Sequence, residues 1–155
     1  MIKRYKIVIV FFFLLIAMGI QAQNTNVLKV VVKNIEEIQG RIRLQMSSDS
    51  LEFLSDEPKV EWVREAKVSG HEMTFYFKAL SDGEYALVVF QDMNDNGILD
   101  AGKFGIPKEP FAFSKAAMRK FGPPYFSQAK FSISGGGEHE EELVLLYRKP
   151  KKKKK

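Results

Sequence analysis

The chain contains no cysteine. That excludes a disulfide, a thiolate zinc site, a thiol nucleophile and a lipid-modified N-terminal cysteine. Histidine is nearly as scarce: His71 and His139 are the only two, and both sit in polar turns, SGHE and GEHEE. Imidazole-centred acid–base or metal chemistry therefore has little to work with. There is no internal repeat, and the one long uncharged apolar run is Ile7 to Ile20. A basic footprint is also missing from the body. The whole chain carries +5, but that charge sits at the ends; residues 23–147 hold 14 basic against 19 acidic residues, a balance of −5. Nothing there offers a nucleic-acid surface.

What is present begins with the ends. Lys3, Arg4 and Lys6 precede the run IVIVFFFLLIAMGI, and Gln21-Ala22 supplies a small residue ahead of Gln23. This is the layout of a secretory signal peptide over 1–22. The run is shorter than the roughly 18 apolar residues read as a membrane span. Residues 23–147 are then expected to be one exported domain, held by packing or by packing plus a metal. Arg148 to Lys155, ending in five lysines, is a like-charge block expected to stay disordered. Periplasm, outer surface or secretion all suit this layout, and after cleavage no integral membrane protein is expected.

Within the body the dominant pattern is alternation. Leu28, Val30 and Val32 share one face of VLKVVVKNI, and Ile42, Leu44 and Met46 share one face of RIRLQM. Period-two alternation with charges outward predicts half-buried strands, and the short Asn34–Gly40 link predicts that these two form a hairpin. Val60 to Val68 and Glu72 to Ala79 read as further strands. ALVVF, after the turn Ser81 to Tyr85, is apolar throughout, as a central strand covered on both faces should be. Tyr85 reads either as a tyrosine corner tied back to that turn or as an ordinary half-buried strand tyrosine. Ser114 to Phe121 (SKAAMRKF) predicts a short helix with Ser114 as N-cap, stopped by Gly122-Pro123-Pro124, with another helical turn at Phe126 to Ala129. Ala129 to Ser134 and Glu142 to Tyr147 predict closing strands. The sum is an all-β, immunoglobulin-like or transthyretin-like antiparallel β-sandwich of about seven strands, with a long loop and short helix inserted after a central strand.

That insertion opens with DMNDNGILD. Asp92, Asn94, Asn96, Gly97 and Asp100 stand at relative positions 1, 3, 5, 6 and 9, and the Ile98 carbonyl falls at position 7. A hard cation such as Ca²⁺ takes about six to eight oxygens, and the first half of the EF-hand loop has this spacing. The second half departs from it, because position 12 is Lys103 and the preceding segment is a strand. Glu109 is the residue that can complete the set from the following loop. Two readings compete: a calcium loop built from Asp92, Asn94, Asn96, Ile98, Asp100 and Glu109, or a series of Asx-turns in which these side chains cap their own backbone. Asp95, off the register, is expected to face solvent.

The stretch GEYALVVFQDMNDNGILDAGKFGIPKEPFAFS, followed by FGPPYFSQAKFSI, resembles a family of exported bacterial proteins, domain of unknown function 2141. The resemblance rests on Gly83 and Tyr85; Asp92, Asn94, Asn96, Gly97 and Asp100; Gly105, Pro107, Glu109 and Pro110; Phe113 and Ser114; and Gly122, Pro123 and Pro124. It covers about Leu28 to Tyr147. Ala112 stands where the family has glycine and Lys115 where asparagine is common. The resemblance implies a β-sandwich and export, and it brings no activity.

Function classes follow from these residues. A non-catalytic binding or structural module, meeting a protein or glycan of the cell envelope, is the first expectation. A small hydrolase using Glu109 with Asp92 or Asp100 as a carboxylate pair is the alternative, and an ion-stabilised envelope protein without a ligand is the third. Phe111, Phe113 and Tyr125 are the candidate surface contacts, set against the plainer role of burying the long loop.

Overall fold

A computed structural model describes residues 25–55 and 57–147. The expected leader over 1–22 and the basic tail from Arg148 onward lie outside the described residues. Eight strands are seen among those described: β1 (Asn26–Lys33), β2 (Arg41–Ser47), β3 (Val63–Lys67), β4 (Met73–Leu80), β5 (Gly83–Asp92), β6 (Phe111–Phe113), β7 (Phe131–Ile133) and β8 (Gly137–Val144), with a single helical turn, α1 (Phe126–Ala129), before β7. They form two sheets in a sandwich-like arrangement. One has the order β4-β1-β8; the other runs β3-β2-β5-β6, with β7 also pairing on β5.

The alternating residues do what their spacing requires. Leu28, Val30 and Val32 from β1 meet Ile42, Leu44 and Met46 from β2, with Phe75 and Phe77 from β4 and Tyr85, Leu87 and Val89 from β5, in one core between the sheets. β5 is covered on its other face too: Ala86 and Val88 join Phe113, Ala117 and Ala129 in a second cluster under Phe53 and Phe126. That explains an apolar run without alternation, since both faces leave water. Each large side chain so buried contributes about 1.5–3 kcal/mol.

Four expectations are corrected. β1 and β2 are not a hairpin: β1 pairs with β4 and β8, and β2 with β3 and β5. The link crosses between sheets because Asn34 turns at φ 62 and Ile35, 1 % exposed, drops into the core. The sandwich is not wholly antiparallel, since β8 runs parallel to β1 from Asn26↔Gly137 to Lys33↔Val144. β8 also starts five residues before the expected Glu142, inside the acidic stretch. It is an edge strand held by backbone pairing and by the ion pairs Lys29–Glu140 and Lys33–Glu142, so it carries charges where an alternation signal would be sought. Finally, Ser114–Ala116 is one 3₁₀ turn, with Lys115 and Ala116 at φ 58 and 49, and residues 117–121 are not helical.

Ser114 is not a helix cap because its hydroxyl is used inside. β5 pairs along one edge with β7 at Gly83–Tyr85 and then with β6 at Val88–Phe90. In the gap between them the Ser114 Oγ accepts the Leu87 N–H at 2.8 Å and donates to the Ala129 carbonyl at 2.7 Å. A side chain thereby completes a ladder that two short strands leave open.

Tyr85 fixes the other end of β5. Its ring is buried against Trp62, and its hydroxyl donates to the Ser81 carbonyl at 2.9 Å, tying the strand start to the turn. Burial, then the nearby Asp82 charge, push the phenol's pKa up. Tyr85→Phe keeps the packing and loses that tie. It should lower stability by about 1 kcal/mol, read as a lower urea midpoint at unchanged slope.

Candidate functional site

The acidic loop begins where β5 ends. Asp92 is fully buried. Its Oδ1 accepts the Asn96 N–H at 3.1 Å, and its Oδ2 accepts the Gly97 N–H at 2.8 Å and the Arg43 Nε–H at 2.7 Å. The turn then repeats itself in smaller steps. Asn94 Oδ1 accepts from Asn96 N–H at 3.2 Å, and Asn96 Oδ1 from Ile98 N–H at 3.0 Å. Asp95 and Gly97 take the left-handed conformation, φ 58 and 88, that lets the chain wrap the Asp92 carboxylate.

Glu109 folds back onto this turn and is 6 % exposed. One carboxylate oxygen accepts the Met93 N–H at 2.8 Å and the other accepts the Asp100 N–H at 2.9 Å. It bridges both ends of the loop. Between Asp100 and Glu109 the chain makes a narrow excursion, closed by Lys108 N–H to Asp100 C=O at 2.8 Å and Gly102 N–H to Ile106 C=O at 2.8 Å. Asn94 Nδ2 donates to Asp100 Oδ2 at 2.9 Å.

Three residues that sequence reasoning passed over hold this arrangement. Arg43, on the outward face of β2, lies between Asp92, Glu65 and Asp95, while Arg41 pairs with Asp95 at 2.9 Å. Its signal was a pair of strand arginines with carboxylates as their only counterpart. Gly40 lies against the end of β5, where a Cβ would sit 1.9 Å from the Asp92 carbonyl oxygen, at φ +69. Gln91 is fully buried; its Nε2 donates to the Glu37 and Gln39 carbonyls at 2.7 and 2.8 Å, and Tyr147 Oη donates to its Oε1 at 3.0 Å. One amide at the end of an apolar run was the only hint of it.

Burial pushes the Asp92 carboxyl up. The hydrogen bonds from Arg43, Gly97 and Asn96 and the Arg43 charge outweigh that, so its pKa lies below the ordinary value of 3.8.

The oxygen spacing suits a cation, because a carboxylate or amide oxygen that accepts one N–H keeps a second lone pair. The charge balance, as arranged, does not. Arg43 already lies on Asp92, the Asn94 amide nitrogen rather than its oxygen faces Asp100, and both Glu109 oxygens hold backbone N–H groups. Ile98 is 63 % exposed. Among the described residues no three acidic or histidine side chains converge as a metal-binding group. The cation that meets Asp92 and Asp95 is the Arg43 guanidinium.

The remaining candidates separate cleanly. Phe113 is buried and Phe111 half-buried, with their rings 5.8 Å apart and Phe53 6.3 Å from Phe113, so Phe113 is a packing residue and not a surface contact. Tyr125 is 61 % exposed. Asp95 is exposed, as its off-register place predicts, but it faces the two arginines. His71 Nδ1 lies 2.6 Å from the Ile35 carbonyl and His139 Nε2 lies 3.1 Å from Asn26 Oδ1, each in a structural contact.

The strand, loop and Glu-Pro step that build this site lie within residues 30–141, which match a family model described as an uncharacterized protein conserved in bacteria, domain of unknown function 2141. The chain belongs to that family. No curated protein and no solved structure matches it. Membership in domain of unknown function 2141 makes the protein one of a bacterial family, and no helix among the described residues is long and apolar enough to cross a membrane.

Arg43→Gln leaves the buried Asp92 without its cation and should cost about 3 kcal/mol. The pH dependence has a defined sign. Because Asp92's folded pKa is depressed, its stabilisation is complete above the unfolded pKa and is lost as pH falls through the folded one. Arg43→Gln raises the folded pKa, so acid unfolding monitored by circular dichroism should move to higher pH.

Proposed function

We propose that this protein is an exported, non-catalytic binding or structural module of the cell envelope, with the Asp92–Glu109 loop as its rigid presenting surface and a protein or glycan as its partner. The observation that carries this reading is the double role of Glu109. A carboxylate whose two oxygens both hold loop N–H groups braces a shape; it is poorly placed to give or take a substrate proton. Asp92, buried under Arg43 and held ionised, is equally occupied. Export is proposed from the leader-like Lys3 to Ala22 segment. For the fold's finer kinship we propose an immunoglobulin-like or transthyretin-like variant, supported by two facing sheets, a doubly covered β5 and the Tyr85 tie.

The hydrolase alternative needs Glu109 or an aspartate free. A panel of chromogenic glycosides and esters, with Glu109→Gln as the control, should give no turnover above that variant. Turnover that Glu109→Gln abolishes, in a folded protein, would establish the enzyme instead.

Calcium at this loop is a second reading, favoured by the spacing of Asp92, Asn94 and Asn96 with Gly97 at positive φ. It requires Arg43 to release Asp92. Melting curves with millimolar calcium and with chelator separate the two. With Arg43 in place the Tm should agree to within about 1 °C. A ligand at about 100 times its Kd contributes about 2.7 kcal/mol, a shift of several degrees. Such a shift, lost in Asn96→Ala, would make calcium the ion of the loop.

A further inference from the structure

The segment from Pro110 to Gly137 contains no acidic residue and four basic ones, Lys115, Arg119, Lys120 and Lys130. In a body with a balance of −5 that is a local reversal of sign. Lys130 is paired with Glu84, at 2.7 Å. Lys115, Arg119 and Lys120 form no salt bridge with a described residue, which is equally true of Arg64, Lys67, Lys78, Lys103 and Lys108; what sets these three apart is a segment with no carboxylate of its own. Beside these cations stand large apolar side chains turned outward, Met118 at 52 %, Phe121 at 77 % and Tyr125 at 61 % exposure, with Lys120 Nζ 5.7 Å from the Phe121 ring centre.

The loop is built to keep them there. It is anchored at one end by Ala117, packed in the second core cluster, and at the other by buried Pro124 and by Ala129 of α1. Lys115 N–H is held by Glu141 at 3.0 Å. The Arg119 guanidinium lies 3.8 Å over the Tyr125 ring and donates to the Pro123 carbonyl at 3.2 Å. Left-handed turns at Lys115, Ala116 and Gly122, followed by Pro123-Pro124, remove much of the freedom that would let Phe121 fold back. Apolar tips beside cations that form no described salt bridge complement a surface where acyl chains lie beneath anionic headgroups.

We propose that the Lys115–Tyr125 loop docks the domain on an anionic lipid surface, with Met118 and Phe121 entering the interface and Lys115, Arg119 and Lys120 facing the headgroups. This goes beyond the binding-module reading by assigning a second surface and a lipid partner to it. It rests on this loop alone, so its failure leaves the acidic-loop reading standing.

The test is co-sedimentation of residues 23–155, the chain without its expected leader, with vesicles of phosphatidylglycerol in phosphatidylcholine, and of phosphatidylcholine alone. Binding is expected to the first and not the second, and to weaken at high salt. The basic tail also attracts anionic lipid, so the decisive variant changes no charge. Met118→Ser with Phe121→Ser should lower the affinity at least about tenfold. Lys115→Glu with Lys120→Glu should lower it at least about fivefold per residue. These side chains are exposed, and a melting curve unchanged from the parent confirms each fold. In Phe121→Trp, a blue-shifted emission on adding the anionic vesicles reports entry of that position. Three outcomes overturn the proposal: no binding to anionic vesicles, as a protein or glycan partner at this loop predicts; equal binding to phosphatidylcholine; or binding unchanged in the Met118/Phe121 variant, which assigns it to the tail.

Discussion

A buried carboxylate needs a reason to stay charged, and in this protein Asp92 has it in Arg43. The ion pair links the end of β5 to the middle of β2, the two long strands of the larger sheet. Because the carboxylate is held there, two loop N–H groups can close on it, and the chain turns sharply where a strand would otherwise run on. Gly40 is a consequence of the same closeness, since no side chain fits between the start of β2 and the Asp92 carbonyl. The loop's shape is thus written partly in β2, about fifty residues upstream in the chain.

The rest of the loop extends that anchor. Glu109 carries the constraint from Asp92's neighbour Met93 across to Asp100, and Pro110 accepts the Gln91 N–H at 2.8 Å, so the returning chain rejoins β5 where it left. β6 can then pair with β5, Ser114 can fill the gap before β7, and α1 can seat Ala129 in the second cluster. A long insertion usually costs order because its backbone groups lack partners. Here acidic and amide side chains supply the partners, which accounts for a loop rich in oxygen acceptors without assigning it a ligand.

Much of this was legible in the residues, and the failures share a cause. Alternation marked β1, β2 and β4 because each has one wet and one dry face, and its absence marked β5. The position of Glu109 as the residue completing the loop could be reasoned from the loop's missing twelfth member, but the two backbone N–H groups it bridges, on Met93 and Asp100, carry no mark in the sequence. The β1–β2 hairpin failed because a short link does not reveal which sheet its far end enters. β8 went unseen at its start because an edge strand carrying Glu140 and Glu142 opposite lysines of β1 has no apolar stripe. The helix at Ser114 failed through propensity, as SKAAMRKF favours a helix locally while Ser114's hydroxyl is needed between Leu87 and Ala129.

That last failure matters beyond secondary structure. As a helix, SKAAMRKF would spread its side chains around an axis and bury some of them. As an irregular loop with left-handed turns at Lys115 and Ala116, it buries Ala117 and turns Met118, Lys120 and Phe121 outward together. Apolar exposure of this kind in an ordered segment calls for a cover, since an unconstrained loop would lower its free energy by folding Phe121 inward. The stack of Arg119 on Tyr125 opposes that collapse while leaving the charge in place. The acidic loop and the basic loop therefore follow opposite rules. The first turns Asp92, Asp95 and Glu109 onto partners within the protein, and the second holds three cations that form no described salt bridge beside apolar tips turned to solvent.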